Sequence, residues 1–135
     1  MLSLPRQIEI HEEGPREGFQ IERVGIPIAD RAALVEALAE TGLRQIQVAS
    51  FVNPKRVPQM ADAAELFAAI RRKPGVRYTG LWLNEQGFER ARATADVDLA
   101  GNLYFYASDA FSRQNNGAGA QEHAESQRRW ITLYR

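Results

Sequence analysis

Apolar positions along this chain switch repeatedly between a period of two and a period near 3.6. Ile8 and Ile10 alternate with polar neighbours, which predicts a first strand over about Arg6 to Glu12, followed by the turn-rich run Gly14-Pro15-Arg16-Glu17-Gly18. From Asp30 the spacing becomes helical, with Ala33, Leu34, Ala37 and Leu38 on one face, Asp30 as N-cap and Gly42 just beyond the C-terminus. The alternation then repeats: a strand from Arg44 to Ala49, a helix from Met60 to Arg72 ending at Lys73-Pro74-Gly75, a strand from Val76 to Leu83 and a helix from Glu85 to Ala93. A fourth strand is expected from Asp98 to Ala107. After a loop rich in Ser, Asn and Gly, a fourth helix is expected from Gln121 to Tyr134.

Strands and helices that alternate at such short spacing form right-handed βαβ units on a parallel sheet, so the class is α/β. A doubly wound sheet and a barrel both satisfy this. No Gly-x-Gly-x-x-Gly follows any strand, and the Gly14 to Gly18 turn lacks the Lys-Ser/Thr of a phosphate loop, which favours a parallel (β/α) barrel of TIM type. A closed barrel of this kind takes ~250 residues. Only the first four βα units are accounted for, and residues 1–135 are expected to be the N-terminal half of one barrel domain. The apolar end at Trp130, Ile131, Leu133 and Tyr134, with no capping residue before the last position, agrees with that expectation. Four parallel strands leave two edges unpaired, so a homo-oligomer is expected.

Composition narrows the chemistry. The 17 Lys and Arg balance 17 Asp and Glu, so no net field draws the chain to nucleic acid or to a membrane surface, and neither is an expected partner. The absence of cysteine excludes disulfides, Cys-ligated zinc and thiol nucleophiles in these residues, and fits a cytoplasmic location. No apolar run approaches the ~20 residues of a membrane-crossing helix.

In parallel barrels the working residues stand on loops after the strand C-termini. After strand 1 come Glu12, Glu13, Arg16, Glu17 and Gln20; after strand 2 come Gln47, Ser50, Phe51, Val52, Asn53, Pro54 and Lys55, with Val57-Pro58-Gln59-Met60 behind them. A guanidinium on a Gly-bounded turn can be aimed at an oxyanion, and Lys55 can meet a carboxylate or phosphate. On residue type alone, Arg16 and Glu17 read as a solvated surface pair, and Phe51 and Val57 as packing. His11, alone in a strand, reads as structural. His123 is assigned no role. Trp82 and Tyr104-Phe105-Tyr106 read as packing residues, and Arg71-Arg72-Lys73 as cations ending a helix, with the phosphates of a ligand as the alternative.

Two of these strings resemble a family pattern. Gly14-Pro15-Arg16-Glu17-Gly18-Phe19-Gln20 is similar to the Gly-Pro-Arg-Asp-Gly-Leu-Gln signature of the hydroxymethylglutaryl-CoA lyase family. Ser50-Phe51-Val52-Asn53-Pro54-Lys55 with Val57-Pro58-Gln59-Met60 resembles its second signature, Ser-Phe-Val-Ser-Pro-Lys with Val-Pro-Gln-Met. Leu83-Asn84-Glu85-Gln86-Gly87-Phe88-Glu89 and Ala107-Ser108-Asp109-Ala110-Phe111 with Asn115 match further segments, so the resemblance runs from Glu12 to Asn116.

The resemblance implies a metal-assisted carbon–carbon lyase that cleaves a 3-hydroxy-acyl-CoA to acetyl-CoA and a keto acid. Arg16 would be catalytic and stabilise the enolate oxygen, with Gln47 beside it. Glu17 would be a ligand to Mg²⁺ or Mn²⁺, hard cations that take oxygen donors. Glu12, Gln20, Ser50, Asn53, Lys55, Asn84 and Ser108 would line the substrate. Two positions depart from the pattern: Glu17 stands where the family has Asp, and Gln47 where it has Glu. The family's remaining ligands, a His-x-His pair and an Asn, and its Cys-containing loop have no counterpart here. Two other readings stay open: a related aldolase or Claisen-type synthase, and a catalytically silent half-barrel that binds a partner through its open edges.

Overall fold

The computed structural model describes residues 4–134 and divides into two compact units that meet in sequence at Leu99 and Ala100. The ends of the chain read in the sequence, Met1 to Ser3 and Arg135, lie outside the described residues.

In the first unit the elements are β1 (His11–Glu12), α1 (Gly14–Gln20), α2 (Ile28–Ala39), β2 (Gln45–Ser50), a 3-10 turn at Pro58–Met60, α3 (Ala63–Ala69), β3 (Arg77–Leu81) and α4 (Glu85–Ala93). The strands form a parallel sheet in the order β1-β2-β3, with His11 opposite Gln45 and Gln45 opposite Arg77. All six residues of β2 are buried, whereas β1 reaches only two residues. The core consists of Ile46 and Val48 from β2, Val35 from α2, Leu66 and Phe67 from α3, and Tyr78 from β3, each 0–1% exposed. Burial of aliphatic and aromatic side chains of this size contributes roughly 1.5–3 kcal/mol apiece, and here it joins the helices to the sheet.

The parallel βαβ class expected from the sequence is what forms, and α4 has its expected bounds, with the Asn84 Oδ1 accepting the Gly87 N–H at 2.8 Å as an N-cap. Other elements differ. The Gly14 to Gly18 run is the beginning of a helix, and Pro15 occupies the first turn, where its missing N–H costs no hydrogen bond. α2 begins at Ile28, so Asp30 lies inside its first turn while Pro27 is the N-cap. Gly42, at φ +93°, turns the chain three residues after the last helical residue. α3 stops at Ala69 because Ile70 turns to extended backbone and buries its side chain. The basic run behind it spreads to separate carboxylates: Arg71 to Glu36, Arg72 to Asp98 and Lys73 to Glu40.

No strand forms over Asp98 to Ala107 among the described residues. The Asp98 N–H donates to the Tyr78 carbonyl at 2.8 Å, as a fourth strand would, but its own carboxylate takes the Tyr78 N–H at 2.6 Å. A side chain thus occupies the position where a neighbouring carbonyl would continue the ladder. Asp96, in the left-handed region at φ +65°, turns the backbone just before.

The second unit contains α5 (Asp109–Asn116), which the sequence reading treats as loop, and α6 (Ala120–Leu133). Ser108 caps α5 and Gly117, at φ +76°, ends it. Tyr104 donates its N–H to Gln127 at 3.1 Å, and the Tyr106 ring meets the His123 ring edge-on at 5.0 Å, so the extended segment before α5 lies on α6.

Candidate active site

The first turn of α1 places three charged side chains at the C-terminal end of β1, and the buried polar face of β2 lies beneath them. Arg16 is 6% exposed and Gln47 is 3% exposed. The Arg16 Nε donates to the Gln47 Oε1 at 2.6 Å, Nη2 to the Glu13 Oε2 at 2.7 Å, and Nη1 to the Glu17 Oε1. The solvated surface pair expected from residue type alone is therefore corrected: the guanidinium is buried, and an acceptor 31 residues away holds its stem. Two of its five N–H groups are left over by these three bonds. The carboxylates of Glu13 and Glu17 are half exposed, at 50% and 58% of their side-chain area. Glu13, which carries no assigned role in the sequence, also pairs with the cation. Its signal was its spacing, since i and i+3 lie on one helical face.

The register of β2 against β3 shifts between Gln47 and Ala49. Such an irregularity re-aims the side chains that follow it. Ser50, fully buried, reaches the Gln20 Oε1 with its hydroxyl at 3.4 Å, and Phe51 stacks on Phe67 with ring centroids 5.9 Å apart. The strand end therefore supplies both a polar floor facing α1 and an apolar anchor on the helical side.

The other candidates are engaged locally. The Glu12 carboxylate accepts the Gly14 N–H at 2.6 Å, the Asn53 Oδ1 accepts the Lys55 N–H at 2.9 Å, and Asn84 caps α4. Ser108, in the second unit, accepts the Phe111 N–H at 3.3 Å. Asn53 and Lys55 are exposed on the loop after β2. Direct bonds thus join Arg16, Glu13, Glu17 and Gln47 in one group and Gln20 with Ser50 in another. His11 is held between Glu9 and Gln45 at 3.1 Å each, which is the structural part expected of it.

A divalent cation needs several oxygen donors converging on one point. Glu17 offers one carboxylate, already turned onto Arg16, and no group of three His, Cys, Asp or Glu side chains gathers among the described residues. These residues alone do not fit a metal site. No helix among them is long and apolar enough to cross a membrane.

A short parallel sheet flanked by helices, with a buried guanidinium at the C-terminal end of the strands, matches part of a TIM-type (β/α) barrel, the class that the similar solved structures bear out. No family model matches the chain. The 3-hydroxy-3-isohexenylglutaryl-CoA/hydroxy-methylglutaryl-CoA lyase of Pseudomonas aeruginosa is 43% identical over 124 residues, covering 92% of this chain and 41% of that protein. The cytoplasmic 3-hydroxy-3-methylglutaryl-CoA lyase of Mus musculus is 43% identical over 119 residues, covering 88% and 34%; a mitochondrial form from the same species is 38% identical over 122 residues, covering 90% and 37%. Among solved structures, the P. aeruginosa hydroxymethylglutaryl-CoA lyase superposes with a TM-score of 0.77 at 41% identity, over 92% of this chain and 41% of that one. An HMG-CoA lyase from Acinetobacter baumannii, in complex with coenzyme A and 3-methylmalate, superposes with a TM-score of 0.79 at 28% identity, over 98% and 43%.

Over about nine-tenths of its length the chain is similar to hydroxymethylglutaryl-CoA lyases. It spans about two-fifths of the length of the relatives it matches.

Proposed function

We propose that this chain is the enolate-stabilising part of a carbon–carbon lyase that cleaves 3-hydroxy-3-methylglutaryl-CoA, or a close 3-hydroxy-acyl-CoA, to acetyl-CoA and a keto acid. The observation that carries the reading is the burial of Arg16 on Gln47 at the strand ends. Breaking the C2–C3 bond leaves negative charge on the thioester oxygen. A permanent cation with a fixed planar fork, removed from water, stabilises that charge far more than a mobile surface arginine does. Gln47 fixes the fork through Nε without adding a charge, so the Glu-to-Gln departure keeps the orientation while removing one competing anion. Glu13 and Glu17 set two negative charges against the one positive charge of the fork, so an anion approaching its two remaining N–H groups is favoured when a carboxylate turns away.

The reading includes an acyl-CoA substrate, supported by the coenzyme A complex of the A. baumannii relative, and a site that extends to Gln20 and Ser50 on the floor, to Asn53 and Lys55 on the loop after β2, and to Glu12 and Asn84, with Ser108 of the second unit a substrate-binding candidate by resemblance alone. Mg²⁺ or Mn²⁺ remains the proposed cofactor of the complete assembly, with Glu17 as one ligand and the other donors supplied from outside the described residues. No part assigned to Arg16 passes through it. The cytoplasm is the proposed compartment, although related proteins carry both cytoplasmic and mitochondrial names. The related aldolase or synthase and the silent module are disfavoured by the lyase names shared across the relatives.

The test is release of acetyl-CoA from 3-hydroxy-3-methylglutaryl-CoA by the protein carrying this segment, with Arg16→Lys as the variant. Because enolate charge develops in the transition state, kcat should fall by about 10²–10³ with KM little changed. Wild-type kcat in a folded Arg16→Lys protein would remove Arg16 from the chemistry.

A further inference from the structure

The loop from Phe51 to Asp62 carries Asn53 and Lys55, yet neither residue anchors it to the body of the unit. Its two ends are held by arginines from different helices. At its start, the Phe51 ring rests on Gly80, where an added Cβ would stand 2.5 Å from the ring, and the Phe51 carbonyl lies where a Cβ on Gly87 would meet it at 2.6 Å. The Arg90 Nη2, from α4, donates to that carbonyl at 2.6 Å. At its end, Arg31 of α2 is 2% exposed, donates to the Gln59 carbonyl at 3.1 Å through Nη1, and pairs with Asp62 through Nη2. The Gln59 Nε2 adds a bond to the Glu22 carbonyl at 2.7 Å. Between these anchors Asn53, Pro54, Lys55 and Arg56 are exposed. Neither Lys55 nor Arg56 forms an ion pair among the described residues.

Two guanidinium groups aimed at the two ends of one loop do more than packing requires. Phe51 and Met60 already bury apolar side chains there. A planar fork that bonds a backbone carbonyl fixes main-chain position, which side-chain packing does only loosely. The Arg31 Nε and the Asp62 Oδ1 are buried without a hydrogen-bond partner, a cost retained together with the clamp.

We infer that Arg31 and Arg90 are positioning residues: a two-ended clamp that fixes the loop after β2 so that Lys55 and Asn53 face the acyl-CoA substrate in a set geometry. Neither arginine touches substrate. The inference rests on the preceding reading of this loop as part of the substrate site.

The test measures amide hydrogen exchange in the 135-residue chain for wild type, Arg31→Gln, Arg31→Lys and Arg90→Ala. The amides to follow are those of Arg56, Val57 and Met60, whose acceptors are the Asn53 and Val57 carbonyls. Arg90→Ala should speed their exchange about tenfold, the factor that one charge-assisted hydrogen bond represents, with the β2–β3 ladder unchanged. Arg31→Gln should do the same, and Arg31→Lys should restore part of the protection. If Arg31→Gln does not fold, the exposed Arg90 decides alone. Unchanged loop exchange in folded Arg90→Ala would overturn the clamp. Titration with coenzyme A gives the functional readout, with affinity expected to fall about tenfold in Arg90→Ala. Wild-type affinity alongside a loosened loop would overturn the positioning role. Failure of the wild-type chain to bind coenzyme A would instead count against the substrate reading, since the exchange result stands by itself.

Discussion

Two strands with the same kind of alternating sequence meet opposite fates in this molecule. Gln45–Ser50 is buried along its whole length, with β3 on one side and β1 beside Gln45 and Ile46 on the other, while the segment around Ile8 and Ile10 forms strand only at His11–Glu12. Ile8 and Ile10 are 83% and 62% exposed. The residues are comparable in strand propensity, so the difference lies in partners: β2 has two, and β1 pairs on one side only. Strand formation here is a property of the neighbourhood and not of the segment. The same rule applies at Asp98, whose N–H and carboxylate both bond the Tyr78 backbone without a strand forming there.

The largest expected effect separates the two segments by stability. Ile46→Ala removes a fully buried side chain and should cost ~2–5 kcal/mol, whereas Ile8→Ala should stay within ~0.5 kcal/mol. Urea denaturation of both variants checks this, and equal losses would mean that Ile8 is buried in a partner contact.

A smaller effect follows from acid. Partial desolvation pushes the Glu9 carboxyl up, but hydrogen bonds and charge from His11 and Arg77 outweigh it and hold the group below the ordinary carboxylate range. A lowered carboxyl contributes stability that is complete above its ordinary value, about 4, and is lost as pH falls through the lowered one. Acidification should therefore free the segment around β1 before β2 is affected. Amide exchange across that range would show it, and Glu9→Gln should abolish the difference. Equal loosening of both strands would contradict the assignment.

Much of the order of elements was legible in the sequence, because β2 and β3 are short runs buried on both faces between turn-forming residues, while α4 buries Gly87, Phe88 and Ala91 at helical spacing. The short α1 was not legible, since Gly-Pro-Arg-Glu-Gly has turn composition and only the tolerance of Pro15 in a first turn hints at a helix. Asp98 to Ala107 reads as a strand by alternation, but a strand also needs free N–H groups on the neighbouring edge, and the Asp98 carboxylate takes the Tyr78 N–H that a strand carbonyl would accept. At the site, Arg16 and Gln47 could be singled out by resemblance. Their union could not, because burial of a guanidinium depends on an acceptor brought close by the sheet. Asn53, Asn84 and Ser108 show the reverse case: oxygen-bearing side chains at loop starts suit substrate contacts and caps equally, and here their oxygens bond neighbouring backbone. Arg31 and Arg90 carried no signal at all, as each sits on a helix among ordinary surface charges in the sequence.

We propose that this unclosed portion of a TIM-type barrel associates with further copies through its free strand edges. Size-exclusion chromatography with light scattering on the 135-residue chain tests it most directly. The account predicts concentration-dependent association beyond a monomer; a sharp monomeric peak that unfolds cooperatively would contradict it.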